Sequence, residues 1–303
     1  MIERFNGGKL TWIDMVNPTS DEIREVMEEA NLPPELVSDL SAPIPRSSAV
    51  AVGNVVKVTL DYPIVKRTDI NHPHEIKLLA TKTHLVSVHF EDIEAIHRFQ
   101  KEFELLSILK NTKSKASGGH LLNAIMMFLY NTLNAKLDYL ETKLVDVENE
   151  IFKGREKEMV FEISNISRRI ISFKHVLATH AQVLDDLMEL IETAFTKEHK
   201  TGVLEIHEQY LFLSSRVGTI NETMDELRET NMALLTTKQN ETMKILTILA
   251  FITFPLTLFT SMFGMNTSTT PIIGQPGDFW IIVGVMAVVS IGFFGYFKYK
   301  DWI

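Results

Sequence analysis

The 303-residue chain contains no cysteine, which removes a disulfide scaffold, a thiolate metal site and a cysteine nucleophile together. It has no basic excess either: 30 Lys and Arg stand against 39 Asp and Glu, a formal charge of −9. A nucleic-acid partner is therefore not expected, because that requires a basic surface to displace counterions from phosphates. No apolar run opens the chain, and Met1-Ile-Glu-Arg-Phe-Asn-Gly-Gly lacks the hydrophobic stretch of a secretory leader. No HExxH spacing or nucleophile–base arrangement is found, and Gly7-Gly8-Lys9-Leu10 lacks the spacing and the Ser/Thr of a phosphate loop. Neither an enzyme nor an organic cofactor is expected.

The most informative absence is local. Residues 245–303 hold only four charges, Asp278, Lys298, Lys300 and Asp301, and these cancel. The whole −9 belongs to residues 1–244, with 28 basic and 37 acidic side chains. A mean hydropathy of +0.06 conceals this segregation. Within the tail, 245–263 and 279–297 are each 19 residues long and free of charge. At 1.5 Å per residue, such a helix spans about 28 Å, close to the hydrocarbon thickness of a bilayer.

The flanks give an orientation. Lys238 and Lys244 precede the first span, Lys298 and Lys300 follow the second, and the connection 264–278 has no Lys or Arg. The positive-inside rule places both termini in the cytosol and the short connection outside. The expectation is a multi-pass protein of the cell (inner) membrane, with a cytosolic body hung on a C-terminal hairpin.

That body has two characters. Residues 1–118 read as a mixed α/β region, with strands at 10–15, 55–60, 76–80 and 85–89 and a helix capped by Thr19 or Ser20 running to Ala30. The Pro-rich stretch 33–45 breaks the pattern, a helix is expected over 91–110, and 111–119 has linker composition. After Gly119 the period becomes helical. Leu122, Met126, Leu129, Leu133, Leu137, Leu140, Leu144, Val147 and Ile151 form one seam, interrupted at Gly154. Ile163, Ile166, Ile170, Phe173, Leu177, Leu184, Leu187, Ile191 and Phe195 form a second, so 119–202 reads as paired long helices ending at Thr201-Gly202. A third seam runs Val203, Ile206, Tyr210, Leu213, Val217, Ile220, Met224, Leu227, with no proline before Pro255. Residues 203–263 are thus expected as one stalk helix continuous with the first span, on the order of 90 Å long. The class is a cytosolic α+β domain with long coiled helices and a two-helix membrane hairpin, mostly α.

A single hairpin cannot enclose an ion path, so a membrane function requires an oligomer. In the first span Asn240, Met243, Leu246 or Thr247, Ala250, Phe254, Thr257 and Ser261 recur three or four apart and carry its small and polar groups. The span ends in Gly264-Met265-Asn266, after Met243-Lys244-Ile245-Leu246-Thr247 and Pro255-Leu256-Thr257, and the chain closes on the basic-aromatic segment 296–303. In these motifs and in its whole organisation the sequence resembles the CorA magnesium-transporter family.

The resemblance implies a homopentamer in which five copies of the first span line a pore. It places Asn240, Met243, Leu246, Phe254, Thr257 and Ser261 on pore positions, with Met243 and Leu246 as an inner apolar constriction. It makes Gly264, Met265 and Asn266 the selectivity motif. Mg²⁺ sheds water reluctantly, so a ring of Asn266 carbonyl oxygens suits a hydrated ion. Gly264 is expected to permit a sharp turn, and Met265 to pack beneath the loop. Three departures stand out: Phe263 replaces the usual Tyr, Ser261 replaces a common Gly, and the acidic Met-Pro-Glu of the outer loop is missing. Here the loop reads Thr267-Ser268-Thr269-Thr270-Pro271, with Asp278 as its only charge.

The resemblance also implies closure by cytosolic divalent cations bound between protomers. Counting back from the motif without gaps puts Glu205 on a family metal-binding carboxylate, and Glu208, one turn on, shares its helix face. Mg²⁺ is then both transported and regulatory, with Co²⁺ and Ni²⁺ as further cargo. Asp185, Asp186, Glu189 and Glu192 are expected as a solvated face, and the ten histidines as ordinary surface or interface residues. A zinc transporter of the same superfamily is the alternative, which Met265 disfavours. A membrane-anchored signalling or scaffold protein without transport is the alternative of another class.

Overall fold

All four expected strands form, and two more join them, in a computed structural model of the chain. It describes every residue except 8–9, 44–46, 64–73, 110–116, 195–196, 266–271, 275, 301 and 303. The chain divides into two bodies, Met1–Arg228 and Glu229–Ile303.

In the first body, β1 (Ile2–Gly7), β2 (Leu10–Val16), β3 (Ser48–Val52), β4 (Val55–Tyr62), β5 (His74–Ala80) and β6 (His84–His89) make one sheet in the order β1-β2-β6-β5-β4-β3. Only the β2–β6 pair is parallel. β1 and β3 were not expected as strands. They are the two edges, and the polar run of β1 and the small residues of β3 give no buried-strand signal.

Period-2 alternation sorts β2 between two cores. Ile13 and Met15 join Ile23, Val26 and Met27 of α1 (Ser20–Glu29) on one face. Trp12 turns to the other, edge-on to Phe99 and Phe103 of α3 (Glu94–Leu109) at 5.2 and 5.8 Å. Thr19 caps α1 as expected. Its hydroxyl accepts from the Glu22 N–H, and Glu22 Oε2 accepts from the Thr19 N–H at 2.8 Å, a reciprocal capping box. The Pro-rich stretch is partly ordered as a turn at Pro34–Leu36 followed by α2 (Val37–Ser41), which lays Leu36 and Leu40 into the α1 core.

The expected linker ends early. Gly118 and Gly119 already belong to α4 (Gly118–Phe152), capped by Ser117. Gly118 is there for close approach: a Cβ would lie 2.2 Å from the Thr81 carbonyl oxygen and 2.5 Å from that of His84. The α4 seam is buried at every expected position. Gly154, at φ 87°, closes it, and Arg155 N–H reaches back to Glu150 O. α5 (Glu156–Ala194) buries its expected residues from Ile163 to Leu187. Ile191 and Phe195 fall where side chains lie outside the described set.

The boundary expected at Thr201-Gly202 is corrected. α6 runs Lys197–Phe263, so Gly202 is helical. It serves a close crossing instead, since a Cβ there would meet Asn123 Nδ2 at 2.2 Å. Arg216 of α6 ties this layer to α4, donating to Asn134, to Glu141 at 2.7 Å and to Asp138 at 2.8 Å.

The histidines also depart from expectation, because His89, His180 and His199 are buried. His89 Nε2 lies 3.3 Å from Asp14 Oδ2, and Gln100 Nε2 donates to the same oxygen at 2.9 Å. Ser87 donates to Asp14 and accepts from Trp12 Nε1 at 2.8 Å. This polar string fastens β2, β6 and α3 together. His72 lies outside the described residues.

In the second body the rest of α6 lies beside α7 (Asp278–Tyr299). Both helices are long and apolar enough to cross a membrane. Ile248 and Phe297 are the buried apolar residues among those described in this body, with the Phe251 and Phe297 rings 6.3 Å apart and Trp302 stacked on Phe297.

Candidate ion path and cation sites

The hairpin has a covered side and an open side. Ile248 marks where α6 is covered. At 100° per residue, the stripe from Asn240 to Ser261 is centred roughly 150° around the helix from it. The accessibility agrees, since Met243, Leu246 and Phe254 are 55, 54 and 72% exposed. Asn240, Thr257 and Ser261 are exposed as well. The stripe singled out by spacing is thus the face that α7 leaves open.

Its hydroxyls are committed in one sense only. Thr247 Oγ1 donates to the Met243 carbonyl at 2.7 Å, and Thr257 Oγ1 to the Thr253 carbonyl at 2.9 Å. Their protons are tied into the helix while the oxygen lone pairs face outward. Pro255 sits inside the same helix and contributes no N–H, so the carbonyl one turn back lacks its helical donor.

At its C-terminal end α6 closes through Gly264 N–H to Thr260 O at 2.9 Å and Met265 N–H to Met262 O at 3.4 Å. Gly264 lies in a turn at the helix end, as expected, and makes it without a positive φ. Met265 is 60% exposed in the single chain, and the loop it was expected to pack beneath lies outside the described residues. Asn266 lies outside the described residues. Asp278 is already engaged: its carboxylate accepts from Gly274 N–H at 3.1 Å and Phe279 N–H at 2.7 Å, opening α7 where an acidic side chain suits the helix dipole. Phe279 and Trp280 flank this end, and Tyr296, Tyr299 and Trp302 the other, as in interfacial aromatic belts.

On the first body, Glu205 and Glu208 stand exposed one turn apart on α6. Neither takes part in a hydrogen bond or ion pair among the described residues. No group of three or more His, Asp or Glu side chains is drawn together among them. Asp185 pairs with His207 at 3.7 Å and Asp186 accepts from Gln182 at 2.7 Å, while Glu192 has no described side chain.

Residues 7–299 match the CorA-like Mg²⁺ transporter protein family. The chain belongs to that family. It is 25% identical over 307 residues to the "Cobalt/magnesium transport protein CorA" of Methanocaldococcus jannaschii, covering 99% of this chain and 93% of that one. It is 22% identical over 295 residues to the protein of the same name from Thermotoga maritima, covering 97% and 83%. The complete structure of the M. jannaschii CorA magnesium transporter superposes with a TM-score of 0.81 at 22% identity, over 99% of this chain and 93% of that chain. The fold is that of a full-length CorA: a sheet-containing domain, long helices and a C-terminal membrane hairpin.

In this CorA-family chain the sequence missed which side of the hairpin is covered, because both spans are apolar all round. Spacing and motif found the open stripe, whereas the contact through Ile248 and Phe297 carries no signal of its own.

Proposed function

We propose that this chain assembles as a homopentamer whose five α6 segments surround a path for hydrated Mg²⁺ into the cytosol. The observation that carries this reading is the open stripe on α6, which turns away from α7 and presents acceptor oxygens. Water bound to Mg²⁺ points its hydrogens outward, so the second layer around the ion must accept hydrogen bonds. Thr247 and Thr257, with their protons tied back, meet that need, and a ring of Asn266 carbonyls at the outer mouth meets it with more reach. Met243 and Leu246 form the inner apolar ring, which closes by excluding water. An inside-negative potential drives entry with about 4.6 kcal/mol per 100 mV for a divalent ion, so no coupled energy source is needed.

Family membership makes Mg²⁺ the leading cargo, with Co²⁺ and Ni²⁺ next. Closure follows from cytosolic divalent cations held between protomers, Glu205 and Glu208 giving one side of each site. Carboxylates gathered at an interface repel until a cation neutralises them, so falling Mg²⁺ loosens the assembly. Both termini lie in the cytosol.

The test is uptake into liposomes under an inside-negative potential, comparing Mg²⁺, Co²⁺, Ni²⁺ and Zn²⁺. Saturable Mg²⁺ entry, lost in Asn266→Ala with the oligomer intact, is expected. Zn²⁺ entry driven by a proton gradient selects the zinc-transporter reading, and entry of no ion overturns transport altogether.

A further inference from the structure

The end of the hairpin where α6 enters and α7 leaves is basic, and the ion path does not use its charge. Within 238–247 and 297–303 the sequence sets Lys238, Lys244, Lys298 and Lys300 against Glu241 and Asp301, a balance of +2.

After α7 the chain folds back. Lys300 N–H donates to Tyr296 O at 3.1 Å and Trp302 N–H to Phe297 O at 3.0 Å, bonds that close the helix and return the next residues to it. The Trp302 ring is thereby laid on Phe297, with centroids 5.8 Å and planes 22° apart, and Phe297 meets Phe251 of α6 at 6.3 Å. These rings form an apolar floor that reaches across both helices.

Cations and one further donor surround that floor. At 100° per residue Lys298 and Lys300 fall on opposite flanks of Phe297, so they bracket the Trp302 ring. Lys244 stands one turn before Ile248, on the face of α6 that α7 covers. Lys298, Lys300 and Trp302 Nε1 make no ion pair or side-chain hydrogen bond among the described residues. Tyr299 is 86% and Trp302 45% exposed, amphipathic rings of the kind that settle at headgroup depth.

We propose that this end of the hairpin binds an anionic phospholipid, its phosphate held by Lys298, Lys300 and the Trp302 indole N–H, with the start of its acyl chains against the Trp302 and Tyr299 rings. Charge complementarity selects the occupant. Ammonium and indole N–H groups donate and do not accept, so the ligand must bring acceptor oxygens, and phosphate brings several. A zwitterionic headgroup carries its own ammonium to the lysines and is disfavoured. A free phosphate has nothing to lay on the rings. The inference rests on α6 and α7 crossing a bilayer, and not on transport, orientation or subunit number.

The experiment places the full chain carrying Trp280→Phe in vesicles, which leaves Trp302 as the lipid-facing tryptophan; Trp12 is fully buried and gives a constant background. The vesicles are phosphatidylcholine with a fixed fraction of brominated phosphatidylcholine, phosphatidylglycerol or phosphatidic acid in both leaflets. Quenching of Trp302 by bromine reads which lipid sits beside it. Phosphatidylglycerol should be preferred to phosphatidylcholine about tenfold, and phosphatidic acid more strongly, since one lysine at an anionic surface is worth about fivefold. Replacing both lysines, Lys298→Gln with Lys300→Gln, should reduce the preference to about twofold or less, whereas Lys298→Arg with Lys300→Arg should keep it. Glycerol phosphate added to the solution should change nothing.

Equal quenching by the three lipids, an unchanged preference in the glutamine variant, or relief of quenching by glycerol phosphate overturns the proposal. Loss of the oligomer in the glutamine variant, with no lipid preference in its parent, assigns the lysines to a second copy and overturns it as well. Quenching by none of the lipids overturns both the site and the bilayer crossing on which it rests.

Discussion

Acid should destabilise this protein through one histidine whose charge the core cannot hold. His180 of α5 is 2% exposed, with Nε2 2.8 Å from the Asp61 carbonyl and Nδ1 2.9 Å from the Tyr130 hydroxyl. A carbonyl only accepts, so Nε2 carries the proton and Nδ1 accepts from Tyr130. A second proton would place an uncompensated charge in the core. Burial accordingly holds the pKa down at about 4, against a weaker upward pull from the Asp61 carbonyl.

The folded value lies below the unfolded one of about 6.5, so the neutral ring contributes stability that is complete above pH 6.5 and lost as pH falls towards 4. A difference of about 2.5 units is worth about 3 kcal/mol in the limit, of which about 2 kcal/mol disappears between pH 7 and pH 5. Denaturation of the full chain in detergent, followed by tryptophan fluorescence, measures this against His180→Gln. The glutamine amide can still donate to Asp61 but does not titrate. Carboxylates shared by both proteins cancel in the difference. His180→Gln should be the less stable protein at neutral pH, and its deficit should shrink by about 2 kcal/mol by pH 5. A deficit that stays constant over that range refutes the burial argument.

The buried His89–Asp14 pair should respond with the opposite sign. Burial alone would lower the pKa of His89, but the hydrogen bond and charge of Asp14, helped by the Glu91 carbonyl and Asp92, raise it overall. Its stabilisation is complete below about pH 6.5 and fades as pH rises through the elevated folded value; Asp14→Asn should abolish that alkaline loss in the same denaturation assay. Gly118→Ala forces a Cβ onto two backbone carbonyls and should cost about 1–3 kcal/mol. Gly218→Ala, with nothing within 4 Å, should stabilise α6 by about 0.5–1 kcal/mol, and a melting series that reverses the two rejects the steric reading.

How much of this was legible follows from the kind of signal each element leaves. The α4 and α6 seams were readable residue by residue, because a helix buried on one side must repeat at 3.6. The central strands were readable because both of their faces are buried. The edge strands were not, since edge pairing constrains only backbone and tolerates Glu3, Arg4 and Asn6 in β1. Gly202 misled because a glycine for close approach looks in sequence like a helix stop. The open stripe of α6 was visible in spacing and motif, but only packing revealed which side α7 covers.

In the proposed pentamer the outer mouth lacks an acidic rim. Asp278, the single carboxylate of the connection, is spent on Gly274 and Phe279 N–H groups and opens α7. It is therefore poorly placed to concentrate cations at the mouth, where a ring of carboxylates would raise local ion concentration. Capture in the proposed pentamer then rests on neutral oxygens that contact the hydration shell, and commitment rests on the membrane potential. Neutral oxygens hold a divalent ion weakly, which favours release at the inner end. The cost is discrimination, because a shell-contacting ring reads ion size and water geometry rather than charge. A hydrated Co²⁺ or Ni²⁺ of similar octahedral shape is therefore the expected competitor of Mg²⁺ in the proposed pore.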